Sequence, residues 1–260
     1  MIDLHCHLLP GLDDGPATID ESIALARAAR TAGIEATVAT PHIREDYPFD
    51  PAVIGVRARE LEQALGEAGI GLRVIEGAEV AISRVRDLTN ETLPTLCLGG
   101  GPYMLVESPY THTTTVLEET IFDLQVRGFL PVLAHPERCP SFQEDPDRLA
   151  RLVERGVLCS VTAASMIGTF GGTVRRFTSL LFSKRLVHNV ASDAHDPVRR
   201  SIDLLGGFEA LEHDLPGLAE QAQWFTADVP EAIVRGRELP PMPAPSRSRR
   251  KGWRRWRRPA

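Results

Sequence analysis

The sequence predicts an α/β fold in which parallel strands close into a barrel. Seven segments with strand character mostly alternate with helical segments, which is the pattern of strand–helix–strand units. Residues with metal-binding side chains follow six of the seven strands. In a doubly wound sheet these side chains would spread along an open edge, whereas in a barrel they would converge on one mouth. Their number therefore favours the barrel.

The first half of the chain alternates strands with helices that carry start and stop signals. Thr18 and Glu21 form a capping box at the start of the first helix, and a glycine ends each helix. The predicted elements are a strand at 1–5, a helix from the capping box to residue 32, a strand at 35–40, a helix at 51–68 and a strand at 72–75.

The second half continues this alternation as far as residue 191. Its predicted elements are a strand at 103–107, a helix at 114–127, a strand at 130–134, a helix at 147–155, a strand at 157–162, a helix at 173–183 and a strand at 186–191. Residues 1–238 are therefore expected to form one domain. Residues 239–260 are rich in Pro, Ser and Arg, and we expect a disordered tail there.

The composition agrees with one folded domain. Of the 260 residues, 43% are apolar and 25% are charged, which is ordinary for a globular protein. The four cysteines form no Cys-x-x-Cys pair, so neither a disulfide framework nor a thiolate zinc site is indicated. The chain begins directly with a strand and shows no signal peptide or spanning apolar run, so a cytoplasmic location is expected.

The charge of the chain is unevenly distributed. The net charge is −6, but eight of the 29 basic residues lie within 247–258. The remaining 21 basic residues face 35 acidic ones, so the rest of the chain carries a net charge of −14. An acidic domain makes nucleic acid an unlikely main partner.

Histidine and carboxylate residues recur in short clusters, most of them at strand ends. Imidazole and carboxylate ligands without thiolates suit Mn, Fe or Zn in a catalytic role. Their number exceeds the needs of one ion and predicts a two- or three-metal hydrolytic centre. The clusters are Asp3-Leu4-His5-Cys6-His7, Asp13-Asp14-Gly15, Thr40-Pro41-His42, Gly77-Ala78-Glu79, Val106-Glu107, Ala134-His135-Pro136-Glu137-Arg138 and Ser192-Asp193-Ala194-His195.

Two of these clusters carry the strongest signal. In each, two ligand-type residues are separated by one residue, which places both side chains on one face of an extended strand: His5 with His7, and Asp193 with His195. Arg138 adds a guanidinium whose fork matches two phosphate oxygens. Taken singly, the remaining clusters are equally compatible with polar residues in turns or at a barrel rim.

Other phosphatase and hydrolase chemistries lack their motifs. A cysteine phosphatase requires Cys-x5-Arg, but the residues six positions after the four cysteines are Leu12, Tyr103, Asp145 and Ser165. Neither a GxSxG motif nor a phosphate-binding GxxxxGK[ST] loop occurs. His112, His188 and His213 lie outside the clusters and are interpreted as ordinary histidines.

In this order, the clusters resemble the polymerase and histidinol phosphatase (PHP) superfamily. The match is most similar to the bacterial manganese-dependent protein-tyrosine phosphatases of capsule and exopolysaccharide operons. The resemblance runs from residue 1 to about 235 and implies a distorted (β/α)7 PHP-type barrel with metals at the C-terminal mouth of its strands. The matching motifs are MIDLHCHLLPGLDDGP at 1–16, TPH at 40–42, GAEV at 77–80, YMLVESP at 103–109, AHPER at 134–138 and SDAH at 192–195.

The resemblance also implies a three-metal centre, with Mn²⁺ expected and Fe or Zn as alternatives. Arg138 and Arg200 would bind phosphate, and His42 or His195 would protonate the leaving group. One ion would be held by His5, His7, Glu79 and Asp193, a second by Glu79, Glu107 and His135, and a third by Asp14, His42 and His195.

The implied function is dephosphorylation of phosphotyrosine on a membrane tyrosine autokinase that controls polysaccharide synthesis or export. A histidinol-phosphate type of small-molecule phosphatase, a nuclease and a silent metal-binding scaffold are the alternatives, and the oligomeric state stays open. The tail combines eight cations with Trp253 and Trp256, which suits an anionic membrane surface at the inner face. A solvated tail, or one that folds back on the acidic domain, is the competing interpretation.

Overall fold

The computed structural model describes residues 1–110, 115–198 and 202–244, and all strand pairs in it are parallel. The strands form a three-stranded sheet in the order β1-β2-β4 and a six-stranded sheet in the order β3-β5-β6-β7-β8-β9. In chain order they are β1 (Ile2–Cys6), β2 (Ala36–Ala39), β3 (His42–Ile43), β4 (Arg73–Glu76), β5 (Glu79–Ala81), β6 (Tyr103–Glu107), β7 (Leu130–Ala134), β8 (Leu158–Thr162) and β9 (Asn189–Ala191).

The two sheets are parts of one distorted barrel. At one junction the chain runs from β2 into β3 and from β4 into β5, so the same two segments take part in both sheets. At the other junction the end of β1 pairs with the segment after β9, where Cys6 bridges Ala194. The backbone N–H of Asp193 donates to the carbonyl of His5 at 2.8 Å, and that of His7 donates to the carbonyl of Ala194 at 2.9 Å. These contacts close the ring at the end where the ligand-type residues lie.

The described residues form nine strands where the sequence predicts seven, because the prediction misses two short strands. The predicted strand at 35–40 is present as β2, and after Pro41, which has no N–H to donate to a ladder, the chain pairs again as β3. The predicted third strand is present as β4, and after Gly77 the chain pairs again as β5. After the two breaks, His42 and Glu79 lie opposite each other in register.

The helices lie between the strands, and the predicted capping box is present. Thr18 accepts a hydrogen bond from the backbone N–H of Glu21 at 3.3 Å, and the carboxylate of Glu21 accepts one from the N–H of Ala17 at 2.7 Å. The sequence does not predict α4, α6, α8 and α9, which are too short to show a clear period. The helices are α1 (Ile19–Thr31), α2 (Val53–Glu67), α3 (Thr115–Val126), α4 (Pro140–Glu144), α5 (Pro146–Glu154), α6 (Ala163–Ile167), α7 (Gly172–Ser183), α8 (Leu205–Leu211) and α9 (Val229–Val234).

Three predictions fall outside the described residues. His112, interpreted as an ordinary histidine, lies in the gap between 110 and 115. Arg200 lies in the gap between 198 and 202, and the basic tail from residue 245 onwards lies beyond the last described residue. Within the described ranges, no helix has both the length and the apolar character that a bilayer crossing requires.

Candidate metal centre

The mouth of the barrel gathers all nine residues that the sequence indicates as metal ligands. Seven of them come from the carboxyl end of a strand or from the loop that follows, because parallel strands in a barrel all end on one side. The other two, His42 and Glu79, begin the short strands β3 and β5. Eight of the nine are buried, and Asp14 is 45% exposed in its side chain. They form four overlapping groups in which the ligand atoms lie within 4.8 Å of one another: His5 with His7 and Asp193; His5 with Glu79 and His135; His42 with Glu79 and Glu107; and His7 with Asp14, His42 and His195.

The deepest part of the centre contains two imidazoles and two carboxylates. The Nε2 atoms of His5 and His7 are 3.2 Å apart. Glu79 Oε2 lies 3.2 Å and 3.4 Å from these nitrogens, and Asp193 Oδ1 lies 3.5 Å from each. Ligand atoms about 2.1 Å from a shared ion lie roughly 3 to 3.5 Å apart. Each carboxylate oxygen is therefore spaced from the two imidazole nitrogens as ligands of one cation are.

Glu79 connects this part of the centre to the next. Its second oxygen, Oε1, lies 2.9 Å from His135 Nε2, and Oε2 also lies 3.0 Å from His42 Nδ1. Although burial opposes ionisation, the surrounding imidazoles of His5, His135 and His42 hold the pKa of Glu79 well below its ordinary value. Its ionised carboxylate thus directs Oε2 at His5 and His42 and Oε1 at His135, which is the geometry of a bridging ligand.

The outer part of the centre is more open to solvent. Asp14 Oδ1 lies 3.2 Å from His195 Nε2 and 3.6 Å from His42 Nε2. The other ring nitrogen of His195, Nδ1, is 3.0 Å from the carbonyl oxygen of Asp193. If Nδ1–H donates to that carbonyl, the lone pair of Nε2 faces Asp14 and the mouth of the barrel.

Asp13 supports the centre from behind, a role that sequence reasoning did not assign. Its Oδ2 lies 2.6 Å from His7 Nδ1 and accepts from the backbone N–H of His42 at 2.9 Å, while Oδ1 accepts from the N–H of Gly15 at 2.9 Å. A carboxylate on the far ring nitrogen fixes the tautomer and orientation of a metal-binding histidine. Of the two adjacent aspartates, Asp14 faces the cluster and Asp13 orients it.

Arg138 is buried and pairs with a candidate metal ligand. Its Nη1 donates to Asp193 Oδ2 at 2.7 Å and its Nη2 to Thr162 Oγ1 at 2.8 Å, while the guanidinium carbon lies 3.8 Å from the centre of the Phe170 ring. Asp193 therefore directs Oδ1 at the nitrogens of His5 and His7 and Oδ2 at the guanidinium of Arg138. Thr162 and Phe170 carry no ligand-type signal, and sequence reasoning missed both.

Three further side chains border the centre without having been predicted. Arg44 donates to Glu107 Oε1 at 3.1 Å and to Asp46 Oδ2 at 2.9 Å. The ring of Tyr47 stacks on His42 with centroids 5.4 Å apart, and that of Tyr110 stacks on His135 at 5.6 Å. Arg44 and Glu107 are far apart in sequence, and the side chains of Tyr47 and Tyr110 are not typical metal ligands. No local sequence motif therefore indicates these contacts.

Comparison with known proteins decides the family. The family model described as "Capsular polysaccharide synthesis, CpsB/CapC" matches residues 1–233. The chain belongs to the CpsB/CapC family. The resemblance that its motifs indicate, to the metal-dependent tyrosine phosphatases of capsule operons, is thereby confirmed.

Two relatives of this CpsB/CapC protein carry the name of tyrosine-protein phosphatase. The tyrosine-protein phosphatase YwqE of Bacillus subtilis is 35% identical over 253 residues, which are 95% of this chain and 98% of the relative. The putative tyrosine-protein phosphatase CapC of Staphylococcus aureus is 30% identical over 203 residues, 77% of this chain and 79% of the relative.

The fold agrees with the family. A crystal structure from work on YwqE of Bacillus subtilis and CpsB of Streptococcus pneumoniae, described as unique metal-dependent tyrosine phosphatases, superposes with a TM-score of 0.83 at 34% identity. The superposition covers 95% of this chain and 100% of the chain in that crystal structure. A lactonase from Listeria monocytogenes, 12% identical with a TM-score of 0.56, shares the fold alone. The predicted α/β barrel of PHP type is confirmed.

The donor set of this CpsB/CapC protein fits divalent cations. Glu79 Oε2 is buried and has no hydrogen-bond partner among the described residues, although imidazole nitrogens surround it. Burial disfavours the charge of Asp193 as well, yet His5, His7 and Arg138 hold the pKa of its carboxyl well below the ordinary value. Ionised carboxylates and imidazole nitrogens that converge at ligand spacing, without thiolates, match Mn, Fe or Zn sites.

Among the described residues, His188, His213 and the four cysteines take no part in the centre. His188 Nδ1 accepts from the backbone N–H of Cys159 at 3.1 Å, and His213 is exposed at the surface. All four cysteines are buried and free. Burial raises the pKa of the Cys6 and Cys159 thiols, so neither is poised as a thiolate nucleophile.

Proposed function

We propose that this protein is a metal-dependent tyrosine-protein phosphatase of capsular polysaccharide synthesis. The observation that carries the proposal is the cluster of imidazoles and carboxylates at the barrel mouth, in a chain 35% identical to the tyrosine-protein phosphatase YwqE over nearly its full length. Thiolate catalysis lacks both its motif and an ionisable cysteine, so metal-dependent hydrolysis is the chemistry that the described residues support.

We infer that three ions are held by the nine clustered residues. Glu79 would be shared between two of them, which its two oppositely directed oxygens support. Mn²⁺ is our choice of metal from the resemblance to manganese-dependent phosphatases, with Fe and Zn as competitors. The proposed sets are His5, His7, Glu79 and Asp193; Glu79, Glu107 and His135; and Asp14, His42 and His195.

When bound, the ions supply Lewis acidity that activates water and offsets the charge of a phosphomonoester. Three divalent ions and the four carboxylates among the nine residues would leave the centre at about +2, which suits a phosphate dianion. Arg138 holds Asp193 in place and adds a further positive charge at the site. Arg200, by resemblance, is a second candidate for phosphate binding.

The leaving group of phosphotyrosine needs little assistance. Its phenol has a pKa of about 10, so the phenolate departs more readily than an alkoxide would. His42 and His195 lie beside the half-exposed Asp14, on the solvent side of the centre. We propose that one of them delivers the proton to the departing oxygen.

The substrate is a phosphotyrosine protein of the capsule-synthesis system. We propose that it is a membrane tyrosine autokinase, which would bring the enzyme to the inner face of the membrane. Purified kinase, phosphorylated on its tyrosines, tests this directly. Release of phosphate from it, at a much higher rate than from an equally phosphorylated serine protein, is the expected result.

Chelation tests the metal requirement. Exhaustive treatment with EDTA should abolish hydrolysis of a phosphotyrosine peptide, and added Mn²⁺ should restore it. Cys6→Ser should keep turnover within a few-fold of the parent, because Cys6 is buried and its thiol stays protonated. Activity that survives chelation, or that disappears in the cysteine variant with its fold intact, would contradict metal-dependent catalysis.

A further inference from the structure

Two cavities open beside the metal centre, and their walls differ in chemistry. The first, of about 470 Å³, shares Glu107 with the centre and extends between Arg44 and Tyr110. The second, of about 550 Å³, shares Asp14 and His195 with it. Both volumes suit a small ligand or a side chain. A phosphorylated residue bound at the centre has two directions in which to place its organic group.

The first cavity offers apolar and aromatic surface. Ile82, Val116 and Leu117 contribute aliphatic side chains, and Tyr110 contributes a ring. The second cavity carries three carboxylates, Asp14, Glu21 and Asp196, and its apolar surface comes from two prolines and Val198. The first cavity also carries three carboxylates, Glu45, Asp46 and Glu107, but Arg44 pairs with Asp46 and Glu107 and compensates their charge. Of the two cavities, the first offers a tyrosine ring and three branched aliphatic side chains against which an aromatic ring can pack.

Tyr110 is oriented by its neighbour. Its ring stacks on His135 at 5.6 Å with an angle of 17° between the planes, while 50% of the residue stays exposed. A ring that is fixed on one side and accessible elsewhere can pack against a second ring at little entropic cost. His135 belongs to the metal centre, so a ring held by Tyr110 lies next to the position where phosphate would bind.

We propose that the first cavity, bounded by Arg44, Ile82, Glu107, Tyr110 and Val116, is an aryl slot that receives the tyrosyl ring of the substrate. This inference rests on the proposed phosphatase function and adds the determinant of its specificity. Tyr110 is a specificity-determining residue in this assignment. Its role is to favour aryl over alkyl phosphomonoesters.

The selectivity of the enzyme for phosphotyrosine over phosphoserine tests whether the aryl slot receives the tyrosyl ring. For two peptides of one sequence, phosphorylated on tyrosine or on serine, the ratio of kcat/KM values should fall about tenfold in Tyr110→Ala relative to the parent. Comparing variants with the parent cancels the different reactivity of the two esters. Tyr110→Phe keeps the ring and should keep the ratio. Val198→Ala, the matched control in the second cavity, should also keep it.

A substitution that fills the aryl slot provides a second test. Val116→Trp adds bulk inside the first cavity and should lower kcat/KM for the tyrosine peptide while the serine peptide is little affected. If Tyr110→Ala lowers kcat/KM for both peptides by the same factor, Tyr110 acts only by packing on His135, and the aryl slot is overturned. A change of ratio in Val198→Ala would instead place the ring in the second cavity.

Binding separates the slot from the proposed function. Calorimetry with the Mn²⁺-loaded protein compares phenylphosphonate with methylphosphonate, neither of which is hydrolysed. The parent should bind phenylphosphonate about tenfold more tightly, and Tyr110→Ala should lose that preference. Equal binding of the two by the parent overturns the slot whatever the turnover. A parent that shows the preference but hydrolyses no aryl phosphate would overturn the proposed function and leave the slot intact.

Discussion

Glu79 shows how one residue can integrate the whole centre. Its fully buried carboxylate contacts His135 through one oxygen and both His5 and His42 through the other. In the absence of compensating cations, an ionised carboxylate in such a place would be costly, since burial penalises charge. In the proposed assignment its position would couple the occupancy of neighbouring ion sites, and its removal should affect more than one ion.

We expect Glu79→Ala to lower both metal content and activity more than His42→Ala does, because Glu79 serves two proposed ions and His42 serves one. Elemental analysis after dialysis against Mn²⁺, together with turnover of a phosphotyrosine peptide, provides the measurement. Glu76→Ala, at an exposed position on β4, is the matched control and should behave as the parent. Full metal content in both test variants would show that the bridging assignment is wrong.

The sequence indicates ligand-type residues better than it indicates the residues that support them. Spacing of two along a strand predicts the His5 and His7 pair, because side chains alternate. No spacing rule shows that Asp13 contacts the far ring nitrogen of His7 while its neighbour Asp14 faces His42 and His195. Likewise Arg44 reaches Glu107 across 63 positions of sequence, which only the closed barrel brings about.

At the level of elements, two breaks in the strands build the site. Pro41 and Gly77 end the ladder of the three-stranded sheet, and the chain resumes pairing in the six-stranded sheet. The sequence signals that both residues can interrupt a strand. Where the chain goes next depends on pairing between distant strands, so the register that sets His42 opposite Glu79 was not predictable.

Gly77→Ala should therefore destabilise the fold, by about 1–3 kcal/mol. A Cβ at this position would lie 2.6 Å from Val38 Cγ1 and 3.1 Å from Leu98 Cδ2, closer than packed atoms tolerate. Gly66→Ala is the matched control, because nothing lies within 4 Å of its Cβ and it is in α2. It should stabilise by about 0.5–1 kcal/mol. Urea unfolding of the metal-free proteins measures both values, and equal effects would refute the steric account.

At the scale of the whole molecule, the alternation of strands and helices predicts a parallel α/β fold. The ligand-type residues after six of the seven predicted strands then favour a barrel over a doubly wound sheet. The closure itself rests on a few contacts between β1 and the segment after β9. Those contacts join the two ends of the predicted strand order, and no local pattern encodes them. Composition likewise separates an acidic domain from a basic terminal segment.

The boundary between that domain and the basic segment guides the last experiment. Leu239 and Met242 pack against the core, and Arg185 donates to the carbonyl of Pro243 at 2.8 Å. A deletion that began at residue 239 would remove these contacts along with the cations. A deletion of residues 245–260 removes all eight cations and both tail tryptophans, Trp253 and Trp256, while every described residue is kept.

The full chain should sediment with anionic vesicles at physiological salt, and the chain that ends at Ala244 should stay in solution. Each basic residue near an anionic leaflet contributes about 1 kcal/mol, and tryptophan favours the membrane interface. Neutral vesicles and raised salt should both weaken sedimentation of the full chain, because the attraction is screened. Turnover of a soluble phosphotyrosine peptide should be equal in the two proteins, since the deletion leaves the barrel mouth untouched. Equal partitioning of both proteins onto anionic vesicles would rule out the segment as a membrane contact and favour its interaction with solvent or with the acidic domain.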